Sequence, residues 1–269
     1  MKSVAFILMV WFLPIHAAFE FSGKTPYAVA LGGIPVATDF SAAGFWYNPA
    51  LSATTNFLQA QFIYAMPYGL RDLSVGSALF IFPMGQYFSG LGLSSLGNNL
   101  YRENLISLNI SRAFFQGRLF IGVNLHGYLI SVAQYGRQST WGLDVGFRYR
   151  LTDAIALAGV VTNINQPELS ENPEELPQAS RLGIFIRPFE AMIFHAAIEK
   201  DAWFAPQLAF GMEYRMSPHL TFLSGYRSEG TQPSGGIQLV WKQLEITYSM
   251  QYHFELGPTH VMGIVISRK

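Results

Sequence analysis

The sequence predicts an all-β fold: a transmembrane antiparallel up-and-down β-barrel of about 14 strands, preceded by an N-terminal plug segment that contains a short helix. Three observations support this prediction. The chain is 50% hydrophobic and 15% aromatic but only 13% charged, whereas a soluble domain carries about 25% charged residues. An apolar targeting segment stands at the N-terminus. From Phe57 onward, apolar and polar residues alternate with a period of two.

The composition excludes several classes of protein. A disordered chain would be poor in aromatic residues and rich in charge. The net charge is +0 and the pI is about 7.0, so no global field attracts nucleic acid. The chain has no cysteine, which excludes disulfides, thiolate zinc sites and cysteine nucleophiles. The mean hydropathy of +0.23 suggests a membrane protein, although the body of the chain lacks apolar helical spans.

Residues 1–18 are interpreted as a signal peptide. Lys2 supplies a positive start, and the apolar run from Val4 to Ile15 is too short for a transmembrane helix. Small residues follow at Ala17 and Ala18, which predicts cleavage near one of them. The alternative is an uncleaved N-terminal membrane anchor.

Residues 19–54 are expected to form the plug segment, which does not alternate cleanly. It contains a stretch of small residues that ends at Asp39 and a later aromatic-rich stretch. Asn48 followed by Pro49 is typical of a helix N-cap with proline at the first helical position. Such a segment would sit inside the barrel or close one mouth of it, and residues 55–269 would form the barrel wall.

The clearest predicted strand is 141–150, in which five apolar residues from Trp141 to Tyr149 alternate with Gly142, Asp144, Gly146, Arg148 and Arg150. Most such segments are about 9 to 12 residues long, which is the length of a tilted strand that crosses a bilayer. The predicted strands are 56–66, 72–82, 86–95, 102–112, 118–130, 138–150, 154–164, 179–187, 190–200, 206–215, 219–227, 235–242, 244–253 and 259–267.

Connection lengths favour a membrane barrel over a soluble sandwich. Tight turns are expected near 151–153, 188–189, 216–218 and 242–243, and longer connections at 131–137, 165–178, 228–234 and 254–258. Short and long ends therefore alternate, as they do in outer-membrane barrels. A soluble sandwich also uses alternating aromatics but has no reason to sort its loops. The longest connection, with Glu168, Glu171, Glu174 and Glu175, is either a partner-binding loop or, as we favour, a solvated loop.

The apolar face is expected to contact lipid, and its aromatic residues near strand ends are typical of an interfacial girdle. The other face is expected to line a polar lumen. Its candidate network comprises His126, Asp144, Arg148, Arg150, Arg181, His195, Glu199, Glu213, Arg215 and Glu245. These residues would form either a permeation path or, as we favour, a network of ion pairs that braces the strands, because buried charges must be paired.

No catalytic site is predicted. His126 and Asp144 would face each other on neighbouring strands as a dyad does, but no serine nucleophile or third orienting group is evident. The sequence shows no metal-ligand cluster, phosphate-binding loop or nucleic-acid patch. We therefore expect neither enzyme activity, cofactor nor metal.

Short motifs spread over residues 28–262 resemble those of the PorV/PorQ-like outer-membrane proteins and their wider FadL-like superfamily. Each motif is weak, but their order is fairly specific. The motifs are Asp39 with Asn48-Pro49-Ala50, residues 142–146 with Tyr149-Arg150, residues 163–167, Leu176-Pro177 with residues 181–183, residues 199–201, residues 211–215 and residues 256–260. The resemblance implies a fourteen-stranded barrel with an N-terminal plug, which agrees with the independent count.

The resemblance implies two functions. PorV/PorQ-like proteins imply an accessory, partner-binding role in type IX-like secretion or surface attachment, and FadL-like proteins imply a channel for small hydrophobic compounds. A structural barrel in a larger envelope complex is a third alternative. Because most predicted loops are too short to build a roomy pocket, the accessory role is favoured modestly.

The expected location is the outer membrane of a Gram-negative-type bacterium, with both termini in the periplasm. The expected partners are the lipid bilayer, proteins of a secretion or envelope complex, and a lipid-like ligand in the lumen. Nucleic acid is not expected as a partner.

Overall fold

The computed structural model describes residues 18–39, 41–169, 176, 178–201, 205–228 and 231–268, and every structural statement below concerns these residues. The predicted signal peptide, apart from Ala18, lies outside them. So do Glu171, Glu174 and Glu175 of the acidic connection.

The described chain forms a closed barrel of fourteen antiparallel strands, in which each strand pairs with its sequence neighbours and β1 pairs with β14. The predicted fold class and strand number are confirmed. The strands are β1 (Leu58–Met66), β2 (Val75–Met84), β3 (Tyr87–Gly97), β4 (Tyr101–Phe114), β5 (Leu119–Val132), β6 (Gly136–Arg150), β7 (Ile155–Thr162), β8 (Ala179–Phe189), β9 (Met192–Asp201), β10 (Gln207–Ser217), β11 (Leu220–Arg227), β12 (Gln232–Trp241), β13 (Leu244–His253) and β14 (Gly257–Arg268).

The strands run further than the sequence predicts at one end of the barrel. The connections expected at 131–137 and 254–258 shrink to residues 133–135 and 254–256, because the hairpin ladders continue to the pair Val132 with Gly136 and to the pair His253 with Gly257. Only 67–74 and 163–178 are long connections. The predicted alternation of loop length is therefore weaker than expected. We call the end with these two connections the loop rim and the opposite end the turn rim.

Burial alternates along the strands as predicted. In β5, Asn124 and His126 are buried while Ile121, Leu125 and Leu129 are exposed. A soluble monomer rarely exposes large apolar surfaces, so this outward face fits hydrocarbon. The aromatic residues expected in the girdle are all exposed: Trp141, Tyr149, Tyr214, Tyr226, Trp241, Tyr248 and Tyr252.

The plug lies inside the barrel and consists of short helical turns. Helix α1 (Pro26–Ala30) begins after Thr25, whose hydroxyl accepts a hydrogen bond from the Ala28 N–H at 3.2 Å. Helix α2 (Ser41–Gly44) and a 3₁₀ helix (Pro49–Thr54) follow. No helix in the described part of the chain is both long and apolar enough to cross a bilayer.

The plug touches the wall where the wall has glycine. A Cβ atom on Gly225 of β11 would lie 2.3 Å from the Gly32 nitrogen, and one on Gly122 of β5 would lie 2.3 Å from the Pro49 oxygen. Both clashing atoms belong to the plug backbone, which cannot avoid the clash by a change of rotamer as a side chain can. The wall glycines therefore let the plug backbone lie directly on the sheet.

Candidate functional site

Asp39 fastens the middle of the plug near the turn rim. Its carboxylate pairs with Arg148 of β6 and, at 2.9 Å, with Arg187 of β8. The Arg148 side chain is buried, and its Nε donates to the Ala37 carbonyl oxygen at 3.0 Å. The arginine thus satisfies both a charge and a backbone acceptor of the plug.

Asn48 joins two parts of the plug to the wall. Its side-chain amide donates to the carbonyl oxygens of Val36 at 2.9 Å and Phe147 at 3.0 Å. Its Oδ1 accepts from the Ala50 N–H at 3.0 Å, so Asn48 caps the 3₁₀ helix in which Pro49 takes the first position. Because Asn48 is fully buried, every one of these polar atoms needs its partner.

Two further asparagines continue this contact into the wall. Asn109 of β4 donates to the Pro49 carbonyl oxygen at 3.1 Å and to Asn124 Oδ1 at 2.7 Å. Asn124 in turn donates to the Phe45 carbonyl oxygen at 3.1 Å. Carbonyl groups of the plug that have no hydrogen bond within the short helices therefore accept one from inward-facing side-chain amides of the wall.

His126 lies between Ser107 and Asp144 on three neighbouring strands. Its Nε2 is 2.9 Å from Asp144 Oδ2, as expected, and its Nδ1 is 2.7 Å from Ser107 Oγ. Ser107 has no exposed surface and is not among the residues that line the cavity described below, so its hydroxyl is withdrawn from that cavity. Asp144 also accepts the Asn163 N–H at 2.8 Å. The arrangement braces the sheet.

A second histidine contact anchors α1. His195 Nε2 lies 2.6 Å from Glu213 Oε1, and the Tyr27 hydroxyl contacts both Glu213 and, at 2.8 Å, the Thr38 hydroxyl. Burial, helped by the Glu213 charge, raises the pKa of the Tyr27 phenol well above its ordinary range. The phenol therefore stays protonated and donates to the Glu213 carboxylate.

Arg181, Glu199 and Arg227 form a third cluster, on β8, β9 and β11. Glu199 accepts from Arg181 through one oxygen and from Arg227 through the other at 3.0 Å. Arg227 Nε also donates to Gln207 Oε1 at 3.1 Å. This carboxylate between two guanidinium groups holds three strands together.

Three residues of the expected network stand apart from these clusters. Arg215 is exposed because it lies two residues from the end of β10, although its pairing with Thr221 gives it the parity of the inward face. Its assignment to the buried network is corrected. Arg150 is partly exposed at the last position of β6. Glu245 accepts from Gln238 at 2.9 Å and is joined to none of the three clusters by the hydrogen bonds described. The inward-facing charged residues therefore form several local networks and not the single network that the sequence predicts.

A cavity of about 440 Å³ lies between the plug and the wall in the half of the barrel that ends at the loop rim. Its lining includes the aromatic residues Phe19, Trp46, Tyr47, Tyr68 and Tyr128, with the Phe19 and Tyr128 rings 4.8 Å apart at 65°. The cavity is also lined by His126, Asp144 and the Arg181 cluster. Its charged residues nearly balance, with three cationic and four anionic residues, histidines aside: Lys24, Arg181, Arg227, Glu20, Asp144, Glu199 and Asp201.

The sequence interpretation missed Ser107, Asn109, Asn124 and Tyr27. The first two stand at alternate positions of β4 between the exposed residues Ile106, Leu108 and Ile110. That alternation was a usable signal for Ser107 and Asn109. No pattern in the sequence indicated the contact of Tyr27 with Glu213, because periodicity does not show where an irregular plug lies against a distant strand.

Comparisons with known proteins support the architecture. No model of a protein family and no curated protein matches the sequence. Among solved structures, the toluene transporter TbuX of Ralstonia pickettii is 14% identical with a TM-score of 0.63, and the match covers 92% of this chain and 98% of that one. The toluene transporter TodX of Pseudomonas putida is 12% identical, with a TM-score of 0.62 and coverage of 90% and 96%. A FadL homologue of Pseudomonas aeruginosa is 11% identical, with a TM-score of 0.62 and coverage of 91% and 97%.

At such identities the matches show the fold, which is that of FadL-like outer-membrane barrels. The resemblance to the FadL-like superfamily agrees with this result, whereas the narrower resemblance to PorV/PorQ-like proteins stays a prediction. TbuX and TodX are toluene transporters, and the expected outer-membrane location agrees with the shared barrel fold. The side of the membrane on which the termini lie also stays a prediction.

Proposed function

We propose that the protein is an outer-membrane channel for small, uncharged compounds that combine an aromatic or similar apolar body with a hydrogen-bonding group. The observation that carries the proposal is the cavity at the loop rim, which is lined by aromatic side chains and by polar side chains of nearly balanced charge. An apolar body gains free energy on aromatic side chains. Balanced charge favours neither anions nor cations.

The cavity has a size that suits one such compound. Its volume of about 440 Å³ lies within the range of roughly 300–1,000 Å³ found for small-molecule sites. TbuX and TodX, which share the fold, are toluene transporters. This likeness supports the channel better than the accessory role in secretion or surface attachment that the sequence favoured.

Passage past the plug needs only local movement in this proposal. The plug is anchored near the turn rim by Asp39 and Asn48, whereas the cavity lies between the plug's first residues and the wall. The compound would enter at the loop rim and rest beside Tyr128 and the Arg181 cluster before it moves on.

The test is a matched pair of variants on β4. Leu105 is buried and lines the cavity, and Leu108 is exposed on the outward face. Leu105→Trp fills the cavity, and Leu108→Trp adds the same side chain outside it. Titration of purified barrel with p-cresol by calorimetry, and uptake of labelled p-cresol by cells, should both fall in the first variant and stay unchanged in the second. Equal behaviour of the two variants and wild type would contradict the channel.

A partner-binding barrel is the second candidate, and the tight contact of plug and wall at Gly122 and Gly225 favours it, because a fixed plug suits a scaffold. It predicts that proteins of a secretion or envelope complex co-purify with the barrel in mild detergent. A barrel that is purified alone and binds p-cresol supports the channel instead.

A further inference from the structure

Glu103 is a buried carboxylate without an ion pair in the part of the chain that the structure describes. It lies on the inward face of β4 and is 4% exposed. Among the described residues, no Lys, Arg or His forms an ion pair with it within 4.0 Å. Its hydrogen bonds come from the Tyr101 hydroxyl at 2.7 Å and from the Phe19 backbone nitrogen at 2.8 Å. A carboxylate in such a place is costly unless a positive charge pairs with it.

Phe19 stands directly after the small residues that end the predicted signal peptide. In an uncleaved chain its nitrogen is a neutral amide. After cleavage between Ala18 and Phe19, the same nitrogen is an α-ammonium group, and it lies at the distance of a charge-assisted hydrogen bond. We infer that the signal peptide is removed between Ala18 and Phe19 and that the new ammonium group forms a buried ion pair with Glu103.

The backbone at Phe19 supports this inference independently. Its φ angle is +64°, in the left-handed region that non-glycine residues seldom adopt. This torsion is defined by the carbonyl carbon of Ala18. Once the bond is hydrolysed, the rotation no longer involves a preceding carbonyl group, and the steric restriction disappears. The conformation is therefore unfavourable within a chain and ordinary at its first residue.

The side chain of Phe19 holds the group in place. Its ring packs against Tyr128 at 4.8 Å, and both residues line the cavity. The Phe19 carbonyl oxygen accepts from the Ser22 N–H at 3.2 Å. The ring, the carbonyl and the nitrogen thus each have a separate contact, which is what a fixed chain terminus requires.

The chemistry balances as a simple hydrolysis. Water adds its oxygen to the Ala18 carbonyl carbon, and the bond from that carbon to the Phe19 nitrogen breaks. The peptide leaves with a carboxylate, and the nitrogen takes both water protons to become an ammonium group. The catalyst is a signal peptidase, which acts on the small residues at the end of an apolar segment. Glu103 holds the product and takes no part in the cleavage.

The first part of the test identifies the N-terminus. The full 269-residue precursor is produced in a Gram-negative host, and the barrel is purified from the outer membrane. Intact mass and N-terminal sequencing should show Phe19 as the first residue. A mature chain that starts at any other residue, or an uncleaved chain, would overturn the inference.

The second part tests the ion pair through the reactivity of the α-amino group toward acetic anhydride. A paired ammonium group should react at least about tenfold more slowly in the folded barrel than in the unfolded chain, since it must break its charge-assisted hydrogen bond and lose a proton before it can react. Glu103→Gln should remove most of this protection. Glu20→Gln, which changes a carboxylate that is mostly exposed and pairs with Lys24, should not.

The labelling results decide whether the ion pair with Glu103 exists. Fast labelling of the folded wild type, or equal protection in Glu103→Gln, would overturn the ion pair even if Phe19 is the first residue. If Glu103→Gln does not reach the membrane, the comparison of folded with unfolded wild type decides alone. Neither part depends on the proposed channel, because neither uses a transported compound.

Discussion

The side-chain amide of Asn48 donates to the carbonyl oxygen of Phe147 at 3.0 Å, across 99 positions of the sequence. Phe147 itself points outward and is exposed, so one residue presents its ring to the membrane and its backbone to the plug. The plug therefore binds the ladder of the wall directly.

We expect Asn48→Ala to destabilise the barrel by roughly 2 kcal/mol or more. The substitution removes a helix cap and leaves the buried carbonyls of Val36 and Phe147 without this donor. Asn99→Ala changes an exposed loop residue and serves as the control. The measurement is thermal unfolding in detergent. A variant with the midpoint of the control would show that the bonds of Asn48 contribute little.

We expect Gly225→Ala to cost about 1–3 kcal/mol, the usual range for overpacking. The new Cβ would lie 2.3 Å from the Gly32 nitrogen, so either the plug or β11 must move. Gly76→Ala is the matched control, because no atom lies within 4 Å of its added Cβ. The readout is the temperature at which the folded band disappears in gel electrophoresis. Identical temperatures would mean that the plug shifts freely.

Leu125→Arg should destabilise the inserted barrel by about 2–4 kcal/mol, because Leu125 faces outward near the middle of β5 and an arginine there meets hydrocarbon. Met84→Arg places the same charge at the end of β2, where the cost is about 0–1 kcal/mol. Unfolding of both variants by guanidinium from lipid vesicles measures the difference. Equal costs would argue against lipid contact at Leu125.

Glu199→Gln should change which compounds bind, if the proposed channel is correct. The substitution leaves Arg181 and Arg227 without their shared carboxylate, so the cavity becomes more cationic. We expect binding of benzoate relative to p-cresol to rise by roughly fivefold, about 1 kcal/mol. Glu168→Gln, on an exposed loop position outside the cavity lining, should leave the ratio unchanged. A constant ratio in Glu199→Gln would remove this cluster from the proposed site.

Local pattern was sufficient to predict the wall. Alternation in 141–150 identified β6, because successive side chains of a strand face lipid and lumen in turn. This pattern does not depend on which strand lies beside it. The strand ends were harder. In β6 the ladder starts at Gly136, because Gly136 pairs with Val132 and Arg137 pairs with Ser131 across the hairpin.

The contacts of the site depended on information that periodicity does not contain. His126 and Asp144 could be paired because neighbouring strands bring them together. The contact of Asp39 with Arg148 and Arg187, by contrast, depends on the path of an irregular segment through the lumen. Arg215 shows a different error: its parity indicated the lumen, and its pairing with Thr221 agrees, but its place near the end of β10 leaves the side chain exposed.

The pairing of β1 with β14 along nine positions from Leu58 to Met66 seals the cylinder. The backbone of the plug lies directly on the inner sheet at Gly122 and Gly225. We therefore expect the plug to pack on the sheet before β14 pairs with β1, so that closure of the barrel by the C-terminal strand is a late step of folding.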